Sequence, residues 1–174
     1  SQRNPRMLPW SCTTPDQVLA DGLNSQVNNS GITARSGGDL KTMRLAQSVT
    51  AEYSNYFGAT SAAQVSLVLA AINNTLTRCN GVYEKDLALH LNLVATSTNV
   101  IYYNASTDPY DAATAGSGGT WNAQLQSTLT SVIGEANYDI GHLFGASGGG
   151  GNAGCIGCVC TNGSKGSGFT SPGD

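Results

Sequence analysis

Residues 61–95 read SAAQVSLVLAAINNTLTRCNGVYEKDLALHLNLVA, and the fold turns on a change of period inside this stretch. First, Val65, Val68, Leu69, Ile72, Leu76, Cys79 and Tyr83 recur at three and four residues, the spacing of one helix face. Ser61 with Gln64 three residues on is a capping-box pattern. A helix is therefore predicted over residues 62–83, with Gly81 weakening its last turn. The period then drops to two. Leu87, Leu89, Leu91, Leu93 and Ala95 alternate with His90 and Asn92, which predicts a strand with one face in a core.

Upstream, Met43, Leu45, Gln47, Val49 and Ala51 alternate with Thr42, Arg44 and Ser48; this predicts another strand, with Gln47 the imperfect match. The aromatic run from Glu52 to Phe57 is helical or irregular and ends at Gly58. Residues 1–41 show no sustained period. Pro5, Pro9 and Pro15 favour extended or turn structure, Val18-Leu19-Ala20 is one apolar patch, and residues 24–39 are polar. They are read as an N-terminal extension or the remnant of a pro-segment, apart from a domain over residues 42–174.

Downstream, a short strand is expected at 100–103, then loops around Asp108-Pro109 and over 115–119. Thr120 is placed to cap a second helix with Trp121, Leu125, Leu129 and Val132 on one face, closed by Gly134. Residues 138–144, 155–160 and 165–170 read as strands, whereas the glycines at 148–151 cannot form a regular element unaided. Strands interleaved with two helices give an α/β layer pattern, a sheet backed by two helices.

Composition bounds the function. A chain of 174 residues makes one domain, and 40% apolar residues can build its core. With 11% charged residues and a net charge of -3, neither a solvated coiled coil nor a nucleic-acid surface fits. No stretch approaches ~18 apolar residues, so no transmembrane helix is expected. The first residues lack the apolar core of a signal peptide. Low charge, abundant Ser, Thr, Asn and Gly, and clustered Cys fit an extracellular setting. Asn-x-Ser/Thr triplets begin at Asn28, Asn73, Asn104 and Asn162, as many as chance supplies in such a composition.

His142 lies beside the Gly-rich loop and is read as a packed, hydrogen-bonded histidine. Asp139, three residues earlier on the same expected strand, falls on the opposite face and is a poor direct partner. His90 points away from the leucine face of its strand. Five Cys is an odd number, so at least one thiol is free, metal-bound or paired outside the chain. Cys155-x-x-Cys158 with Cys160 lacks a fourth ligand, which favours disulfides, two within the chain and one Cys unpaired, over a metal. Cys79 faces the apolar stripe of its helix. Cys12 is open to a disulfide or to a former ligand role in a latency peptide. The glycines at 148–151 lack the Gly-Lys-Ser/Thr ending of a phosphate loop, and no His-Glu-x-x-His occurs. The residues alone hold no self-sufficient catalytic centre.

Several motifs in order carry a resemblance. Arg44-Leu45-Ala46 leading into Ala51-Glu52-Tyr53 and Tyr56-Phe57-Gly58, the long helix, and Val82-Tyr83-Glu84-Lys85-Asp86-Leu87 come first. Ile101-Tyr102, Thr107-Asp108-Pro109-Tyr110, Tyr138-Asp139-Ile140-Gly141-His142-Leu143-Phe144, the glycines at 148–151 and the segment from Ala153 to Cys160 follow. Together, over about residues 39–174, they resemble secreted bacterial metallopeptidases of the reprolysin-like metzincin group. The resemblance implies the upper part of a catalytic domain, a twisted and mostly parallel sheet with one antiparallel edge strand. That edge strand pairs with an extended protein or peptide substrate. Here it would span about residues 154–160, making Gly154, Cys155, Ile156, Gly157 and Cys158 substrate-binding, with Asp139, His142 and Cys160 structural. The resemblance further gives Cys160 a disulfide partner beyond position 174.

The family's catalysis uses zinc-bound water held by a His-Glu-x-x-His helix and a third His. That helix follows the segment matched by residues 168–174. No catalytic residue and no metal ligand is therefore expected in this chain, which would supply scaffold and substrate strand to a secreted zinc endopeptidase. Zinc belongs to the intact protein, with calcium also compatible. The partner is the rest of the catalytic domain, joined or as a separate chain, and an apolar sheet face should be open to it. Two other readings differ in class. A non-catalytic extracellular binding module predicts a covered sheet face, and a small Cys-based zinc protein predicts free thiols at Cys155, Cys158 and Cys160.

Overall fold

The structure is a computed structural model that describes residues 11–12, 39–147 and 150–172. The predicted N-terminal extension therefore lies outside the described residues, except for Ser11, Cys12 and residues 39–41.

The strand expected from Thr42 forms as β2 (Lys41–Val49). Its last five residues are all buried, so water reaches neither face there, as befits a strand inside a parallel sheet. Gln47, the residue that breaks the alternation, is 2% exposed, and its amide donates to the Ser48 carbonyl at 2.8 Å. A buried polar group with a partner is tolerated in a core position. The following helix, α1 (Ala51–Tyr56), starts at Thr50, whose side chain accepts the Tyr53 N–H.

The long helix α2 spans Val65–Leu87, entered through a 3-10 turn over Ala62–Gln64. The reciprocal pair of a capping box does not form. Ser61 makes no cap bond to the backbone, while Gln64 Oε1 reaches back to the Thr60 N–H at 3.0 Å. Gly81 does not end the helix, because it lies on the exposed face with nothing near it and costs only about 1 kcal/mol there. The end comes at Ala88, with φ 51 and its N–H returned to the Tyr83 carbonyl. Leu87 is therefore a helical residue, 63% exposed, and the strand β3 is Leu89–Leu93.

The strand expected at 100–103 shrinks to a 3-10 turn over Ala95–Val100 and a single parallel bridge from Ile101 to Val49. The second helix, α3, is Trp121–Thr128. Thr120 does not cap it; it has helical angles and follows a π turn over Gly116–Thr120 that breaks at Gly119. A second π turn over Leu129–Ile133 widens the helix and shifts its phase. Ile133 is thereby buried, while Val132 is 42% exposed. Gly134, at φ 83, closes the helix as expected.

The remaining strands are β4 (Ile140–Phe144), β5 (Gly150–Asn152) and β6 (Gly168–Ser171). With β1 (Ser11–Cys12) they form one six-stranded sheet, in the order β1-β5-β6-β4-β2-β3. All its pairings are parallel except that of β5 with β6. This is the expected mostly parallel α/β sheet with one antiparallel strand, but that strand is not where the sequence placed it. Residues 154–160 are turns, and Gly150–Asn152 take the antiparallel position. The help those glycines lacked in isolation comes from β6, in the register Gly150↔Ser171, Gly151↔Thr170 and Asn152↔Phe169.

The two helices take opposite faces. Ala46, Leu143 and Phe169 pack with Trp121, Leu125 and Leu129 of α3. Leu45, Val49 and Leu91, which strand alternation sends the other way, pack with Val68, Ile72 and Leu76 of α2. Beyond the leucine stripe, α2 also seals the β3 edge. The buried Asn80 carboxamide accepts the Leu91 N–H at 2.9 Å and donates to the Leu91 carbonyl at 2.9 Å. A side chain thus occupies the backbone pair that another strand would otherwise seek.

Candidate functional site

Helix α2 lies over β2 and β3, and the sheet continues past it. On β4 and β6, the residues facing α3 (Gly141, Leu143, Phe169 and Ser171) are buried. Those facing the α2 side (Ile140, His142, Phe144, Gly168 and Thr170) are only partly buried. A cavity of about 390 Å³ opens against this second set, lined by Ile140, His142, Thr170 and Asn152 and walled by Cys155 and Cys158.

His142 is held in this surface by Thr170, whose hydroxyl lies 3.1 Å from Nε2, and by an edge-on contact with Phe144. Burial pulls its pKa down to about 4, so the imidazole is neutral near pH 7. His142 thus packs against Phe144 and Thr170 while lining the cavity. Asp139 precedes β4 and is tied to β2. Arg44 grips both carboxylate oxygens, at 2.7 Å and 3.1 Å, and its N–H adds a third bond at 2.8 Å. The Arg44 hydrogen bonds hold the Asp139 carboxyl below its usual value. Asp139 and His142 therefore serve different neighbours. His90, on the far edge, contacts Glu84 through Nδ1 at 2.5 Å.

Residues 154–158 form a closed turn instead of a ladder. The Gly154 N–H bonds Asn152 Oδ1 at 2.7 Å, and the Cys155 N–H bonds the Ala153 carbonyl at 2.8 Å. Gly154 has φ +72, and a Cβ there would collide with Ser167, so this glycine serves internal packing. Gly157 is likewise left-handed, at φ 77. Cys155 and Cys158 are disulfide-bonded, so they are not the thiolate pair of a zinc centre. Cys79 and Cys160 carry free thiols, leaving one disulfide among the described side chains, to which that of Cys12 does not belong. Cys160 is exposed, and its N–H bonds the Asp139 carbonyl at 2.8 Å. The structure thus brings His142, Cys155 and Cys158 around one cavity and sets Asp139 and Cys160 together outside it. Gly154, Ile156 and Gly157 occupy the turn between.

Sequence reasoning missed two members. Thr170 was read only as part of a strand. Lys165, 7% exposed, donates to the Glu135 carbonyl at 2.5 Å and to Asn162 Oδ1 at 2.9 Å, and stacks over the Tyr138 ring. A lone lysine in a Gly/Ser-rich turn carries no periodic signal that predicts burial.

Residues 39–174 match the family described as metallo-peptidase family M12B, reprolysin-like, and the chain belongs to that family. No curated protein matches it. The family's zinc can be tested against the donors present. Among the described residues, no three His, Cys, Asp or Glu side chains converge on a point that could hold a metal. His142 and His90 sit on different strands with separate partners. The described residues do not fit a zinc ion. No helix among them is long and apolar enough to cross a membrane.

Proposed function

We propose that this chain is the substrate-strand-bearing upper part of a secreted zinc endopeptidase. The metal and its general base would come from residues outside those described. The observation carrying this reading is the half-covered sheet: β4 and β6 are buried on the α3 face and only partly buried on the other, where α2 stops short. A helix laid beside α2 would bury Ile140, His142 and Thr170. An open face of this kind marks an interaction surface.

The chain's own share is strand pairing. Strand β5 presents backbone groups on the side away from β6, and its two glycines let another backbone approach without side-chain obstruction. Gly154, Cys155, Ile156, Gly157 and Cys158 would form the wall at the end of that strand. An extended segment already pairs there: Ser11 is opposite Gly150 and Cys12 opposite Gly151, in parallel. Ser11 and Cys12 therefore pair where a substrate would be added, which supports reading residues 1–41 as a pro-segment. The Cys155–Cys158 disulfide supports an oxidising, extracellular setting.

The test removes residues 1–38 and measures binding of extended peptides by fluorescence polarisation. Higher affinity in the shortened chain is expected. Equal affinity with and without the extension, or none in either, refutes the substrate-strand assignment.

A further inference from the structure

Two Asn-Gly dipeptides occur, at Asn80-Gly81 and Asn162-Gly163. Before glycine, which has no Cβ to obstruct the approach, an asparagine side-chain carbonyl carbon is most open to attack by the next backbone nitrogen. The fold treats the two pairs in opposite ways. Asn80 is buried in α2, with its carboxamide held at both ends by Leu91. Asn162 is exposed at the corner of a turn closed by the Ser164 N–H to the Thr161 carbonyl at 3.1 Å. Gly163 there has φ +79 and open space where a Cβ would be.

The reacting groups of the second pair are each met by a charge. Asn162 Oδ1, where negative charge would develop, accepts from Lys165 Nζ at 2.9 Å. The Gly163 N–H, whose proton must leave, donates to Glu135 Oε1 at 3.3 Å. Lys165 is fixed in that role: its side chain is 4% exposed and its ammonium lies 4.7 Å over the Tyr138 ring. Glu135 Oε2 is 3.6 Å from the ammonium and is buried without a hydrogen-bond partner. A donor on the forming oxyanion and an acceptor on the nucleophile are the two aids that speed acyl transfer.

The geometry points to Asn162 as a self-modifying site. Gly163 N attacks Asn162 Cγ, the Cγ–Nδ2 bond breaks, and ammonia leaves with the proton lost from Gly163 N. The cyclic imide so formed takes up water at one of its carbonyls and opens to an aspartyl or isoaspartyl residue. No oxidant or cofactor enters. The new carboxylate faces the Lys165 ammonium beside the cavity that Ser164 and Lys165 help to line. The modification adds one negative charge there. It is independent of the peptidase reading.

The test incubates the folded chain in mildly alkaline buffer and follows both sites by peptide mapping with mass spectrometry. The expected result is a gain of about 1 Da at Asn162. It should form at least about tenfold faster than at Asn80 and faster than in a free peptide spanning residues 159–167. Lys165→Met, and independently Glu135→Gln, should slow it several-fold, with folding of each variant verified by circular dichroism. Conversion at Asn162 no faster than in the free peptide, or unchanged in whichever variants fold, overturns the proposal.

Discussion

His142 and Asp108 answer to pH in opposite senses over nearly the same interval. Burial lowers His142 from 6.5 to about 4, so the fold favours the neutral ring. Its contribution is complete above pH 6.5 and is lost as pH falls toward 4, a span that partial burial holds to about 2–3 kcal/mol. Asp108 accepts the Ala51 N–H at 2.5 Å and the Tyr110 N–H at 2.9 Å, yet burial outweighs both and raises its pKa from 3.8 to about 6. The fold favours its protonated form, and that contribution is lost as pH rises through the same interval. Partial solvent access reduces it to about 1–2 kcal/mol. The wild-type chain should therefore gain modest stability between about pH 4 and pH 7. Asp108→Asn should steepen the gain and His142→Gln should reverse it, as read from urea unfolding midpoints at both pH values. The two residues were unequally legible. The place of His142 on a strand could be read because its neighbours spell one. The burial of Asp108 depends on a loop folding under α1, and no local pattern encodes that.

Among the elements, those with a long hydrophobic period were legible: α2 and β3 lie where residues 61–95 placed them, within a turn at the junction. The errors share a cause. The β5 glycines have no side chains to show alternation, so only pairing with β6 makes them a strand. The Cys-rich segment has a strand-like composition but is held in turns by its disulfide and by left-handed residues at Gly154, Gly157 and Cys160. The π turn after α3 moved the buried position by one residue, which a fixed helical period cannot anticipate. Asn80 looked like any polar helix residue, yet it caps the edge of the sheet. Asn80→Ala should cost about 2–3 kcal/mol, because it leaves the Leu91 N–H and carbonyl without their partners. It should also promote concentration-dependent association through the uncovered strand. Chemical denaturation and light scattering measure the two effects. A variant as stable and as monomeric as wild type would show that the edge needs no seal.

At the scale of the whole molecule, the family was legible because its motifs are spread along the chain in order, and the match over residues 39–174 agrees. The candidate site was less so, since an uncovered sheet face is a property of packing rather than of any short motif. The central claim is that this face receives a metal-bearing helix supplied by residues outside those described. The most direct measurement expresses the chain together with whatever its coding sequence specifies after residue 174, then assays zinc content and peptide cleavage. The account predicts one bound zinc and chelator-sensitive endopeptidase activity, with Ile140, His142 and Thr170 protected from solvent on assembly. A coding sequence that stops at that position, or a complete protein that binds no zinc and cleaves nothing, would contradict it.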